Sequence, residues 1–277
     1  MAASSSSGIR SRFAFPDMRE RQISVIIPTL NERGSIELLI RRMDDFLSRR
    51  QYVWEAVVID DRSIDGTFEK LERLKGEGLP IRFFRKVGQR GKAYSLLEGF
   101  RQARFENIAI LDADLQCPPE AIGPMLDELL AGADIVVANR RNAVGSISRR
   151  LASWIFQEFF VYRLNGIKVD SQSGLKVFRR SILESITLNP SPWTFDMEFL
   201  LKAELAGYVM RGYPVDFSER TSGESKLSFW SASVEIAWNA VSLWYQYRLP
   251  IAARMFGTGF SEKIRRFSGT IARRRSL

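Results

Sequence analysis

Between residues 23 and 139 five short, almost wholly apolar runs alternate with four stripes of apolar residues at helical spacing. ISVIIP (23–28), WEAVVID (54–60), IRFFR (81–85), NIAILD (107–112) and DIVVAN (134–139) read as strands. Ile36, Leu39, Ile40, Met43, Phe46 and Leu47 share one face of a helix that Ser35 precedes. Phe68, Leu71 and Leu74 mark a second helix, which Asp65 is placed to cap. Residues 92–103 and 119–130 supply the third and fourth, the last with proline tolerated in its first turn. This order predicts an α/β fold, a mostly parallel Rossmann-like sheet with helices on both faces. Strands covered on both faces must be apolar throughout, as these are.

In such a sheet ligands bind beyond the carboxyl ends of the strands. Polarity concentrates there. Asn31 and Glu32 follow the first run, Asp60 and Asp61 end the second, Asp112, Asp114 and Gln116 follow the fourth, and Asn139, Arg140 and Arg141 end the fifth. Asp112 and Asp114 stand two apart, so in extended backbone both carboxylates point to one face. Mg²⁺ or Mn²⁺ takes one or two carboxylates and completes its shell with substrate phosphates, and Gln116 offers a further oxygen. The alternative is a solvated strand end whose acids cap the next helix, and Asp60–Asp61 has the same alternative as a capping turn. No G-x-G-x-x-G follows the first strand, and G-x-x-x-x-G-K-[ST] is absent, so phosphates are not held by either glycine-rich loop.

Past residue 141 the order changes. Residues 147–164 read as helix, GLKVFRR (174–180) as a short strand, 195–206 as helix and 208–215 as strand, followed by the polar loop SERTSGESK (218–226). The chain has no histidine and one cysteine, Cys117, which excludes an internal disulfide and disfavours zinc. Its net charge of +9 is carried by its ends, with eight basic residues against the single acid Glu262 over 248–277. A nucleic-acid-binding core would carry that charge on the fold, so nucleic acid is not the expected partner. Residues 1–22 lack the apolar stretch of a secretory signal and are expected to form a flexible tail.

Residues 227–247 contain one charge, Glu235, and a stripe of Trp230, Val234, Trp238, Val241 and Tyr245. They are too rich in Ser, Asn and Gln for a spanning helix. An interfacial amphipathic helix beside a basic tail drawn to anionic lipid is expected, the alternative being a core or oligomer helix followed by a solvated tail.

SVIIPTLNE, VVIDDRSIDGT, RGKAYSLLEGF, AILDADLQCPPE, VVANR, VDSQSGLKVFRR and SGESKL stand in an order that resembles the inverting family 2 glycosyltransferases, and within them the dolichol-phosphate mannosyltransferase group. The resemblance covers residues 23–227 and implies a GT-A fold, with a nucleotide-binding half over 23–140, an acceptor half over 141–226 and a membrane-associating segment over 227–277. It implies that Pro28, Asn31, Glu32, Asp60, Asp61, Lys92 and Asp112 bind the nucleotide. Asp112, Asp114 and Gln116 then hold the metal and diphosphate. Arg140, Arg149 and Ser153 meet the acceptor phosphate, and Arg220, Ser225 and Lys226 lie on a loop that closes over the diphosphate. Asp114, Asp170 and Arg140 are the implied catalytic residues, with Ser173 in the segment beside the donor sugar and Asp196 and Glu198 as alternative carboxylates. Taken without the resemblance, Arg149 fits a solvated helix face and Lys226 an ordinary surface loop.

The implied reaction moves a hexose, mannose or glucose, from a GDP- or UDP-sugar to a polyprenyl phosphate at the cytoplasmic face of a membrane, with the enzyme peripheral. The alternative is a family 2 enzyme acting on a sugar hydroxyl, although the Q-x-x-R-W motif of those relatives is absent. A homo-oligomer or a membrane partner subunit is left open. Arg62 stands where the family has glycine, and Cys117 where histidine is common.

Overall fold

The computed structural model describes residues 20–142, 154–190, 195–218 and 237–250. The five expected strands form as β1 (Gln22–Thr29), β2 (Val53–Asp60), β3 (Ile81–Arg85), β4 (Asn107–Leu111) and β5 (Ile135–Arg140). Between them run α1 (Ile36–Arg49), α2 (Thr67–Gly76), α3 (Lys92–Gln102) and α4 (Ile122–Leu130). The first turn of the fourth helix is 3₁₀ over Pro119–Ala121. Beyond β5 come α5 (Phe156–Leu164), wound in wide π-type turns, β6 (Leu175–Arg179), α6 (Ser181–Ser185), α7 (Phe195–Leu205) and β7 (Met210–Val215). Residues 237–250 are helical.

The sheet order is β3-β2-β1-β4-β6-β5-β7. Strands β3, β2, β1 and β4 are mutually parallel. The sheet is mostly parallel, as expected, but β6 stands between β4 and β5 and runs antiparallel to both. The physical reason is a return: after β5 the chain crosses back and enters β6 from the carboxyl edge, pairing Leu175 with Leu111. Strand β7 is parallel to β5.

Alternation along β1 assigns its two faces. Ile23, Val25 and Ile27 pack with α1, α2 and α4, whereas Ile26 joins Val57, Ile59 and the apolar face of α3. That second face also takes Val161 of α5, most of α7, and Ala240 and Leu243. Helix α3 lies so close to β1 that a Cβ at Gly99 would come within 2.3 Å of Ile26 Cγ2. This spacing delivers the start of α3, with Lys92, to the sheet's carboxyl edge.

Helix starts differ in detail from expectation. Ser35 makes no side-chain cap to α1; its Oγ donates to Glu32 Oε2 at 2.8 Å. The cap position of α2 is Gly66 at φ +91°, while Asp65 Oδ1 accepts from the Thr67 N–H at 3.0 Å.

Candidate active site

The loops leaving β1 and β2 are stapled together at the carboxyl edge. Asn31, at φ +58°, donates its N–H to Ser63 Oγ and accepts the Ile64 N–H on Oδ1. The Glu32 N–H donates to Thr67 Oγ1. Asn31 and Glu32 therefore build the rim of the cleft, and Pro28 sits half-buried in β1 against Ile59. Arg62 takes φ +64°, the left-handed region that glycine favours, and reaches Gly88 O at 2.8 Å. Holding a non-glycine residue in this region costs about 1–2 kcal/mol of strain.

Asp60 and Asp61 are both buried. Asp60 Oδ2 accepts the Ser63 N–H at 3.1 Å, and Asp61 Oδ2 accepts the Gly91 N–H at 2.7 Å and lies 3.2 Å from Lys86 Nζ. One oxygen of each, Oδ1, is buried without a hydrogen-bond partner. A buried orphan acceptor costs about 1–3 kcal/mol, so both acids are suited to donors arriving from a ligand. Lys86, which sequence reasoning missed, is fully buried and also donates to Gly91 O and Ser95 Oγ. Burial lowers its pKa, against Asp61, which raises it.

Asp112 stands where β4 enters the cleft. Its N–H donates to Gly174 O, and a Cβ on Gly174 would come within 2.4 Å of Asp112 Oδ2. Only glycine behind this carboxylate leaves room for it. Lys92 Nζ sits 2.6 Å from Asp112 Oδ1 and 2.9 Å from Oδ2. Burial would lower the Lys92 pKa, but Asp112, Asp196 and Asp114 outweigh it and hold the ammonium above the ordinary lysine value. Asp114 Oδ1 accepts the Gln116 N–H across a turn in which Leu115 takes φ +61°. Gln116 is half-buried, and its carbonyl accepts the Ser218 N–H.

Among the described residues no three His, Cys, Asp or Glu side chains form a self-sufficient metal cluster. Asp112 and Asp114 instead give a hard-oxygen pair backed by a glycine cradle, which fits Mg²⁺ or Mn²⁺ completed by phosphate oxygens. Cys117 is buried in the core, and burial, then Asp112 and Asp114, push its thiol up to about 12. It stays protonated and is no ligand.

Across the cleft Arg140 Nε pairs with Asp170 Oδ2 at 2.9 Å, and its guanidinium lies over the Phe217 ring. Asp170 is further fixed by its own N–H to Asn139 Oδ1 and by the Gln172 N–H on its Oδ1. Ser173 is buried, and its hydroxyl exchanges hydrogen bonds with the Leu175 backbone. Behind them Lys176, also missed from sequence, is fully buried on β6 and donates to Ser173 O and to Asp196 Oδ1 at 2.7 Å. Burial would raise the Asp196 pKa, yet Lys176 and Lys92 hold it below the ordinary value. Glu198 is buried between Lys202 and the Asn189 amide. A lysine breaking an otherwise apolar strand, as in GLKVF, is the signal that marks Lys176. Arg149, Ser153, Arg220, Ser225 and Lys226 lie outside the described residues.

Trp230 and Val234 of the aromatic stripe also lie outside the described residues, but Trp238, Val241 and Tyr245 are exposed. The opposite side of that helix is buried through Ala240, Leu243 and Leu249. On α5 and just before it Trp154, Ile155, Phe159 and Tyr162 are exposed too. Asn165 Nδ2 bridges to Ala240 O, so the two helices are tied together. Arg248, expected in the lipid-facing tail, is instead spent internally on Glu204 and Asn165 O. No helix among the described residues is long and apolar enough to cross a membrane.

Residues 24–187 match the family model described as Glycosyl transferase family 2. The chain is 34% identical over 214 residues to the dolichol-phosphate mannosyltransferase of Pyrococcus furiosus, covering 74% of this chain and 59% of that protein. It is 31% identical to the undecaprenyl-phosphate 4-deoxy-4-formamido-L-arabinose transferase of Salmonella choleraesuis, covering 76% and 63% respectively. The chain thus spans about three fifths of the length of these curated relatives. Glucosyl-3-phosphoglycerate synthase of Mycobacterium tuberculosis is similar in fold. With phosphoglyceric acid bound it superposes at TM-score 0.64 and 20% identity, over 84% of this chain and 85% of that one. Its complex with Mn²⁺, UDP and glucosyl-3-phosphoglycerate superposes at 0.63 and 19% identity, with the same coverage.

Proposed function

We propose a specific reaction for this chain, which belongs to glycosyl transferase family 2 and has the GT-A fold: transfer of a hexose from a nucleotide sugar to a polyprenyl phosphate, with inversion. The observation that carries it is convergence. Asp60 and Asp61, each with an unpartnered buried oxygen, the Lys92–Asp112 pair, and the Arg140–Asp170 pair all stand at one carboxyl edge of the sheet. The relatives named for dolichol phosphate and undecaprenyl phosphate support a lipid phosphate as acceptor.

Asp60 and Asp61 accept hydrogen bonds from the base and ribose of the donor. Asp112 and Asp114 hold Mg²⁺ or Mn²⁺, which supplies Lewis-acid charge stabilisation for the departing nucleoside diphosphate. A phosphate monoester has its second pKa near ~6 and is largely dianionic at pH 7, so its oxygen attacks the anomeric carbon without a general base. Arg140 positions and neutralises that phosphate, and Asp170 orients Arg140. The family resemblance assigns Arg149 and Ser153 to the acceptor phosphate and Arg220, Ser225 and Lys226 to the diphosphate, all of them outside the described residues.

A hydroxyl acceptor would need a base. Asp196 is tied to Lys176 and held acidic, and Glu198 is buried against Lys202, so neither is placed for that task. The exposed aromatics of α5 and of residues 237–250 support a peripheral seat on a membrane, where amphipathic rings are favoured.

The test offers GDP-mannose, UDP-glucose and related donors with Mn²⁺ and undecaprenyl or dolichyl phosphate in detergent. A butanol-extractable, acid-labile sugar product is expected. A product found only in the aqueous phase, on a sugar hydroxyl, would overturn the lipid acceptor.

A further inference from the structure

Five ionisable groups lie within electrostatic reach of one another at the cleft. Asp114, Asp112 and Asp196 carry negative charge, and Lys92 and Lys176 positive. Lys176 is buried and committed to Asp196 and Ser173 O. Lys92 is different: its side chain is 39% exposed, and it reaches Asp112 with its ammonium against both carboxylate oxygens. That ammonium stands on the carboxylate that would help hold a divalent ion at this site. We propose that Lys92 is a resident counter-cation on Asp112 that makes divalent-metal binding and donor binding depend on each other. This rests on the reading of Asp112 and Asp114 as metal ligands given above.

The physical case is electrostatic. Without substrate the five groups sum to one negative charge, and an arriving M²⁺ meets an ammonium already seated on Asp112. Like charges a few ångströms apart in a partly desolvated site repel, so the ammonium opposes the metal. Asp196 is no ready refuge for Lys92, because Lys176 already holds it. A nucleoside diphosphate brings two to three negative charges on its own oxygens and gives the ammonium a new partner. Lys92 then leaves Asp112 for the diphosphate, and Asp112 turns to the metal. Each ligand thereby raises the affinity of the other, by the same factor in both directions.

The experiment measures Mn²⁺ binding from the free-ion electron paramagnetic resonance signal, alone and with saturating UDP or GDP. It uses the full chain and the variants Lys92→Gln, Lys92→Arg and Asp112→Asn. In the native chain the nucleotide should tighten Mn²⁺ binding by roughly tenfold or more. Lys92→Gln should bind Mn²⁺ alone several-fold tighter, bind UDP or GDP alone more weakly, and lose most of the coupling. Lys92→Arg keeps the charge and should keep weak metal binding, while Asp112→Asn should bind little Mn²⁺, locating the measured site. Unchanged or weaker Mn²⁺ binding in a folded Lys92→Gln, or coupling that survives it, would overturn the role of Lys92 and leave the metal site standing. If the native chain bound neither Mn²⁺ nor either nucleotide, the underlying functional reading would fail as well.

Discussion

The two sides of the sheet hold their cleft residues by different means. On the side of β3, β2, β1 and β4, acids are buried and fixed by backbone N–H groups: Asp60 by Ser63, Asp61 by Gly91. On the side of β6, β5 and β7, the cleft is held by side-chain ion pairs, Arg140 with Asp170 and Lys176 with Asp196. Backbone-held acids are preorganised and keep their place whatever binds. Ion pairs can be exchanged when a charged ligand arrives. Asp60 and Asp61 are therefore the fixed part of the site, whereas the ion pairs, the Lys92–Asp112 pair of the parallel side included, are the parts suited to exchange partners with a charged ligand.

The largest test of this contrast lies at its seam. Asp114→Asn should lower kcat by about 10²–10³-fold, a loss typical of a removed electrostatic stabiliser, with the circular dichroism spectrum unchanged. Turnover close to native would break the assignment. Next, Lys176→Met leaves Asp196 without its partner and should lower urea-measured stability by about 3 kcal/mol. A neutral result would mean that the pair is not what holds the mixed side. Third, Arg140→Ala removes a charge-assisted contact worth about 1.5–3 kcal/mol. It should raise the KM for lipid phosphate by at least about tenfold, with a much smaller change for the nucleotide sugar. Equal changes in both would erase the division between the two sides.

The smallest effect belongs to the parallel side alone. Glu37 joins α1 to α2 through Lys70, Arg41 and Arg73, which hold its carboxyl down at about 2 from an ordinary 4.5. The folded-state pKa is depressed, so the stabilisation is complete above about 4.5 and fades as pH falls toward 2. Because the group is solvent-screened, the loss should be under about 1 kcal/mol. Glu37→Gln should flatten the acid limb of the stability curve within that window.

The parallel side was legible in the sequence because its information is local. Each strand is a contiguous apolar run, each helix a stripe, and the acids follow directly after them. The elements of the mixed side were legible too, but its pairings were not, because they join distant segments. Arg140 meets Asp170 across 30 residues, and nothing near either position announces the other. The placement of β6 between β4 and β5 has no local signature, since five residues of LKVFR fit a strand in any position. Lys86 and Lys176 were passed over in the sequence, and their burial depends on neighbours that only the fold supplies. The Arg62 backbone was an open question in sequence and is answered by its positive φ.

The antiparallel return of β6 also sets a clock on synthesis. Asp112 is translated more than sixty residues before Gly174, which shapes its seat. At about 5–20 residues per second, the ribosome needs several seconds to cover that interval. During it, β4 is an apolar strand with one unpaired edge, the kind of edge that invites pairing with other chains. A nascent chain halted at residue 142 would own every donor-side acid and still lack the wall behind Asp112. The catalytic seam is thus among the last parts of the sheet to close.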